Sequence, residues 1–356
     1  MTIPAANRYA VIADDLTGAC DAGVAYAERG FRTIAWLAAS YADIESCDVT
    51  VLTTNSRRDP PEMARGKTVD ACRRLTGAGA QIVFKKTDST FLGNPGAEIE
   101  AVLAACGFGV ALVCPAFPAM GRTVRGGCLQ VAGADAPIDL AARLREQCSC
   151  RVLSLAAPDT ETLRSIAAEG PALIVADALT QEDLARIAVA GAELSPPPLL
   201  AGSAGLAREA AALLASPSAR LPPESPRLQR GSVVVFSGST NPVTLEQVRR
   251  LTGMAQTIIV EVDISMPARP SEWLRLASET RGVVLTGGDT ALLVLRALGA
   301  RGIHLEREAL TGVPCGRLVG GACTDLPVVT KAGGFGPPDA LVRAVRFLST
   351  LGDEAS

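Results

Sequence analysis

Histidine is nearly missing from this sequence: His304 is the only one in 356 residues. Chemistry that turns on a histidine base or a multi-histidine metal site therefore has little to work with. His304 itself, following "ALGARGI", is expected on a short strand as a satisfied structural residue. Long apolar runs are missing too, since none approaches the roughly 18 uncharged residues of a membrane span. The start "MTIPAANRYAVIADD" has neither a basic region with a long apolar core nor a small-residue cleavage site, so the expected location is the cytoplasm, without a membrane partner. Lys and Arg are scattered and the net charge is −3, which leaves no electrostatic footprint for nucleic acid. The ten cysteines are dispersed, and the closest pair, Cys148 and Cys150, has no second pair or histidine to complete a metal site. Reduced, mostly buried thiols are expected.

What the chain has in quantity is apolar residues, 48% of the total, arranged in short β-rich runs between helical patterns. "YAVIAD", "TIAWL", "VTVLTT", "QIVFKK", "VALVCPA", "RVLSL", "ALIVAD" and "PPLLAG" are such runs. Near-continuous apolar strands with crossover helices predict an α/β protein with a mostly parallel sheet covered on both faces. "SPSARLPPESPRLQRGS" then breaks the pattern with Pro, Ser and Arg, and the alternation resumes at "SVVVFSGST". The expected organisation is an N-terminal domain over 1–214, a linker over 215–231 and a C-terminal domain over 232–356. Each domain is a mostly parallel sheet with helices on both faces, with a ligand cleft between the two.

Polar residues gather where the strands of the first half end. Asp14, Asp15 and Thr17 follow the first strand; Asn55, Ser56 and Arg57 follow "VTVLTT"; Lys85, Lys86, Thr87, Asp88 and Ser89 follow "QIVF"; Arg122 follows "VALVC" within "PAFPAMGRT". Carboxylates, lysines and arginines at one sheet edge suit a small polyhydroxylated anion, with cations for its carboxylate and an aspartate for a hydroxyl proton. Blander readings stand beside this one: Asp15 as a helix N-cap, Lys85, Lys86 and Asp88 as surface ion pairs, Arg122 as a solvated loop residue. In the second half, glycines crowd the strand ends in "SGST" (237–240), "TGGDTA" (286–291) and "KAGGFG" (331–336). Such loops let backbone N–H groups approach phosphate, although tight turns and helix caps use glycine as well. No GxxxxGK[ST] occurs, and no GxG is completed to a dinucleotide fingerprint, so a P-loop and a nicotinamide dehydrogenase are both unsupported.

Taken in order, these motifs resemble the four-carbon acid sugar kinase family: "ADDLTGA", "NSR", "KKTDST" with "GNPGAEI", "PAFPAMGRT", "AGSAGLA", "SGST", "TGGDTA", "GVPCGRL" and "VVTKAGGFG" span nearly the whole chain. The resemblance implies an N-terminal domain that binds a sugar acid, a C-terminal domain that binds ATP, and phosphate transfer to a substrate hydroxyl across the cleft. Family members act on threonate, erythronate or 3-oxo-tetronates. By that carry-over Asp14, Asp15, Arg57, Lys86, Asp88 and Arg122 line the substrate site, with Asp15 or Asp88 as the base and Lys86 or Arg122 facing the phosphoryl group or the substrate carboxylate. ATP is implied at Ser237 or Ser239, at Gly287, Gly288, Asp289 and Thr290, and at Gly333 and Gly334. Mg²⁺ is expected with ATP, but the sequence assigns it no ligands, and a homo-oligomer is left open.

Two departures bear on the substrate. Leu92 stands in "STFLGN" where the family usually has arginine, and the segment after Gly133 is shorter than usual. Arg125 is a candidate replacement for the lost charge, with an exposed loop residue as the alternative. The rival readings are a kinase of the same fold acting on a different hydroxy acid, and a silent sugar-acid or nucleotide-binding protein. Retention of Asp14, Asp15, Lys86 and Asp88 speaks for the enzyme.

Overall fold

The computed structural model describes residues 8–214, 231–266 and 268–351, so the expected linker lies outside the described residues except for Gly231. The apolar runs of the first half form β1 (Tyr9–Ala13), β2 (Thr33–Trp36), β3 (Val49–Thr53), β4 (Gln81–Lys86) and β5 (Val110–Cys114). A small antiparallel sheet follows, made of β6 (Arg122–Arg125), β7 (Cys128–Val131) and β8 (Ile138–Asp139). It occupies the stretch where the sequence showed a shortened segment. Next come β9 (Arg151–Leu155), β10 (Ala172–Ala176) and β11 (Leu199–Gly202). The second half contributes β12 (Val233–Ser237), β13 (Thr257–Glu261), β14 (Gly282–Thr286), β15 (Gly302–Leu310), β16 (Val313–Val319) and β17 (Pro327–Lys331).

The two mostly parallel sheets read from the sequence are both present, and they are joined. A single 14-stranded sheet runs in the order β13-β12-β14-β17-β16-β15-β2-β3-β1-β4-β11-β5-β10-β9. The joint is β15 against β2, antiparallel, with Ile303 opposite Ala35 and His304 opposite Ile34. Pairing covers what would otherwise be open sheet edges. His304 is half-buried in this joint, on a longer strand than expected, and burial lowers its pKa. The three steps β17-β16, β16-β15 and β15-β2 are antiparallel. An odd number of reversals leaves β12, β14 and β17 running opposite to β1, β3 and β4. The carboxyl ends of the two sets nevertheless come together: a Cβ on Gly288, after β14, would lie 2.8 Å from Asp15, after β1.

The helix Leu16–Ala27 fills the seam. Its Gly23 lies so close to the sheet that a Cβ there would meet Leu305 Cδ1 at 2.5 Å and Val51 Cγ2 at 2.9 Å. One apolar core runs through both halves, taking in Val11 and Val51 from the first and Leu305 and Leu318 from the second. All ten cysteines are free and none is exposed, as the sequence suggested. Among the described residues no helix is long and apolar enough to cross a membrane.

Candidate active site

The first wall is organised by one guanidinium. Asp15 caps the helix Leu16–Ala27, its Oδ1 accepting from Gly18 N at 2.8 Å and its Oδ2 from Thr17 Oγ1 at 2.8 Å. The N-cap reading of Asp15 is therefore right as far as it goes. Arg57, just past β3, donates Nε and Nη2 to Asp14 at 2.7 and 2.9 Å, and Nη1 and Nη2 to Asp15 at 3.0 and 2.8 Å. Its Nη1 also lies 3.3 Å from Asp88 Oδ2. Burial pushes the Asp14 carboxyl up, but Arg57, Lys85 and Lys86 outweigh it and hold the group at about 2. Asp14 is tucked behind Arg57 and does not line the cleft.

The "STFLGN" turn braces that arginine from the side. Gly93, at φ +86°, packs so tightly that a Cβ would lie 3.1 Å from Arg57 Cγ and 3.2 Å from its carbonyl oxygen. Asn94 Nδ2 donates to the carbonyls of Ser56 and Asp59 at 3.2 and 2.9 Å. Asp88 Oδ1 accepts from the Thr90 amide at 2.8 Å and from the Thr90 hydroxyl. Leu92 is 59% exposed, so the position that lost its charge faces solvent.

The strand period separates the two lysines of β4. Lys85 makes a fully buried ion pair with Glu98 at 2.6 Å, and Ser56 Oγ donates to the same carboxylate at 2.6 Å. It is neither a surface pair nor a cleft residue. Lys86 lines the cleft, its Nζ donating to the Thr87 carbonyl at 2.8 Å. Arg122 donates Nη1 to the Met120 carbonyl at 2.8 Å and lies 5.1 Å from the centre of the Phe335 ring. Its buried Nε has no partner among the described residues, and burial lowers its pKa against the pull of Asp88 and Asp21. Arg125 stands on the opposite face of β6 and is exposed, so it does not replace the charge missing at Leu92.

The second wall is the joint end of β12, β14 and β17, which are neighbours in the sheet. Gly287, at φ +97°, begins the helix Gly288–Ala297 without a side-chain cap, leaving the first-turn N–H groups open to an anion. Ser237 ends β12 and is buried. Ser239 Oγ would lie 2.9 Å from a Cβ on Gly333, and Asn241 Nδ2 2.7 Å from one on Gly334, so only glycine lets these loops approach. Beneath them Lys331 is fully buried and donates to the carbonyls of Ala332, Gly333 and Phe335 at 2.8, 2.7 and 3.1 Å. Burial brings its pKa down to about 7. Gln247 Nε2 holds the next carbonyls, of Gly336 and Pro337, at 3.2 and 2.8 Å.

The walls meet. A Cβ on Gly288 would lie 2.8 Å from Asp15 Oδ2, and Arg58 pairs with Asp289 at 2.8 Å across the cleft mouth. Asp15, Thr17, Asp21, Arg57, Lys86 and Asp88 line the cleft from one side, and Gly312, Thr330, Ala332 and Phe335 from the other. Sequence reasoning missed Asp21, Thr330 and Phe335. Asp21 was legible in principle: it lies three residues after Gly18 and four after Thr17, hence on the same helical face.

Residues 9–210 match the family described as a sugar-binding N-terminal domain, and residues 270–341 the one described as a nucleotide-binding C-terminal domain. The chain is 33% identical to a D-threonate kinase of Cupriavidus necator, over 94% of this chain and 96% of that protein. It is 34% identical to a D-threonate kinase of Bordetella bronchiseptica, over 95% and 96%. A D-erythronate kinase of Heliobacterium modesticaldum is 28% identical over 97% and 98%. A solved structure from Salmonella typhimurium LT2 has a TM-score of 0.74 at 22% identity, covering 95% of this chain and 99% of that one. The Haemophilus influenzae protein HI1011 has a TM-score of 0.72 at 23% identity, covering 96% and 99%. These two establish the shared fold alone.

Proposed function

The chain belongs to the four-carbon acid sugar kinase family, and on that footing we propose that it transfers the terminal phosphate of ATP to a hydroxyl of a four-carbon sugar acid. The observation that carries this reading is the close approach of an open helix N-terminus at Gly288 to the Arg57–Asp15 cluster, a Cβ on Gly288 lying 2.8 Å from Asp15 Oδ2. Phosphoryl transfer asks a protein mainly for positioning and charge stabilisation, and those two features supply both. Residues 232–356 act as the ATP domain and residues 1–214 as the acid domain.

Gly287, Gly288, Asp289 and Thr290 cradle the phosphates, with Ser237, Ser239, Gly333 and Gly334 closing round the nucleotide. Arg122 receives the substrate carboxylate: it is half-buried, steadied on Phe335 and has no carboxylate of its own within ion-pair distance among the described residues. Lys86 and Arg57 face the charge that develops on the transferred group. Asp15 and Asp88 fix Arg57 in place.

No group of three or more His, Cys, Asp or Glu among the described residues makes a dedicated metal cage. Mg²⁺ bound with ATP would be held chiefly by nucleotide phosphates and water, with Asp289 the carboxylate that the phosphate loop carries. When bound, the ion would neutralise phosphate charge.

The test is ADP release with ATP and a panel of D-threonate, D-erythronate and 3-oxo-tetronate, set beside five- and six-carbon sugar acids. Turnover with at least one four-carbon acid is expected. Thermal stabilisation by these acids without any ADP release would make the chain a binding protein instead.

A further inference from the structure

Every aspartate that the motifs place in the substrate site, Asp15 and Asp88 as base candidates and Asp14 beside them, is already engaged. Asp14 spends both oxygens on Arg57 and is held at about 2, which makes it a poor proton acceptor. Asp15 accepts two hydrogen bonds on each oxygen, from Gly18 and Arg57 on Oδ1 and from Thr17 and Arg57 on Oδ2. A carboxylate has about four acceptor positions, so Asp15 has none left for a substrate hydroxyl. Asp88 gives Oδ1 to Thr90 and turns Oδ2 toward Arg57.

Asp21 differs from all three. It lines the cleft one helical turn beyond Thr17, its Oδ1 is sealed from solvent, and that atom has no partner among the described residues. Among the described residues no ion pair holds it, although charges surround it: Lys86 from β4, Arg208 from the helix Ala204–Ala212, Glu308 from β15, Arg122 from β6 and Asp15 from the cap of its own helix. A half-buried carboxylate that lines the cleft with Arg57 and Lys86, opposite Thr330 and Phe335, and keeps one sealed oxygen unpartnered is placed to take a proton.

We propose that Asp21 is the general base of the transfer. The step balances: the substrate O–H bond breaks and its proton passes to the Asp21 carboxylate. The oxygen's electron pair forms the new bond to the terminal phosphorus of ATP, and the bridging P–O bond breaks with its electrons leaving on ADP. Burial, with Glu308 and Asp15 adding to it and Lys86 and Arg208 opposing, brings the group up to about 7, where a base works best at neutral pH. The inference rests on the sugar-acid kinase reading.

The experiment is Asp21→Asn in the full-length protein, with wild type alongside. The variant is expected to lose about 10²–10⁴-fold in kcat while KM for ATP and for the acid stay within a few-fold. In wild type, kcat should fall as pH drops through the neutral range, and the variant's residual rate should lack that limb. Folding is read separately. The group's pKa is raised above its ordinary 3.8, so its ionised form costs stability as pH rises from about 4 to about 7. The variant should therefore melt higher than wild type at pH 8, with the gap closing toward pH 4. A kcat within threefold of wild type, a loss confined to KM, or an unchanged acid limb would overturn the role of Asp21. If wild type itself phosphorylates no sugar acid, the kinase reading fails and Asp21's role falls with it.

Discussion

Arg57 makes three aspartates compatible with one small volume, and its removal should show how costly that arrangement is. Asp14 and Asp15 are buried, and breaking a buried ion pair from one side typically costs about 3–5 kcal/mol, because the remaining charges stay unpaired. Arg57→Met should lose stability on that scale in urea titration and should abolish thermal stabilisation by sugar acids; a loss below about 1 kcal/mol would mean the cluster behaves as a surface pair. The same cluster sets an acid limit. Asp14 is held at about 2 against an ordinary 3.8, so its contribution is complete above about pH 4 and is lost as pH falls toward 2. Glu100, paired with Arg65 and accepting from Ser149, is likewise held at about 2 and acts in the same sense. Melting temperature measured from pH 6 to pH 2 should drop mainly below pH 4, and Arg57→Met should flatten that drop.

At the scale of elements, two helix N-termini face the same space and are treated oppositely. The helix Leu16–Ala27 is capped by Asp15, while the helix Gly288–Ala297 is left open. Closeness between them depends on Gly288, where a Cβ would meet Asp15 Oδ2 at 2.8 Å. Gly288→Ala should lower kcat/KM for ATP by about a hundredfold, the usual cost of a displacement near 1 Å at a positioned group, with circular dichroism unchanged. Activity within a few-fold of wild type would show that the approach is not needed. Most of these elements were legible, because apolar runs bounded by polar or glycine loops leave a local trace. The β6-β7-β8 sheet was not legible: its strands have two to four residues and mixed polarity, and its turn relies on Gly126 and Gly127 at positive φ. Asp14 and Lys85 were seen as strand-end polar groups, but their burial behind Arg57 and against Glu98 depends on residues about 40 and 13 positions away, beyond any local pattern. Asp21 carried a helical-spacing signal that passed unused.

The whole molecule is held as one sheet, which the sequence did not foretell, since two edge strands that pair carry no signature of each other. Gly302 allows the joint: a Cβ there would lie 2.7 Å from the Ala35 carbonyl oxygen and 2.9 Å from the Trp36 ring. With the core continuous through the joint, the halves should unfold together, giving one calorimetric transition whose van't Hoff and calorimetric enthalpies agree. Two resolved transitions would show that the joint does not couple them. Such coupling matters for function because the site is shared: one half brings Arg57, Lys86 and Arg122, the other the loops at Gly288 and Gly333. The central claim is that these two walls form a single active site, and a crystal structure of the protein with a non-hydrolysable ATP analogue and D-threonate tests it most directly. The account predicts the terminal phosphate over the open N-terminus at Gly288, the acid's carboxylate at Arg122 and a hydroxyl turned toward Asp21. Nucleotide and acid bound in separate places, with this cleft empty, would contradict it.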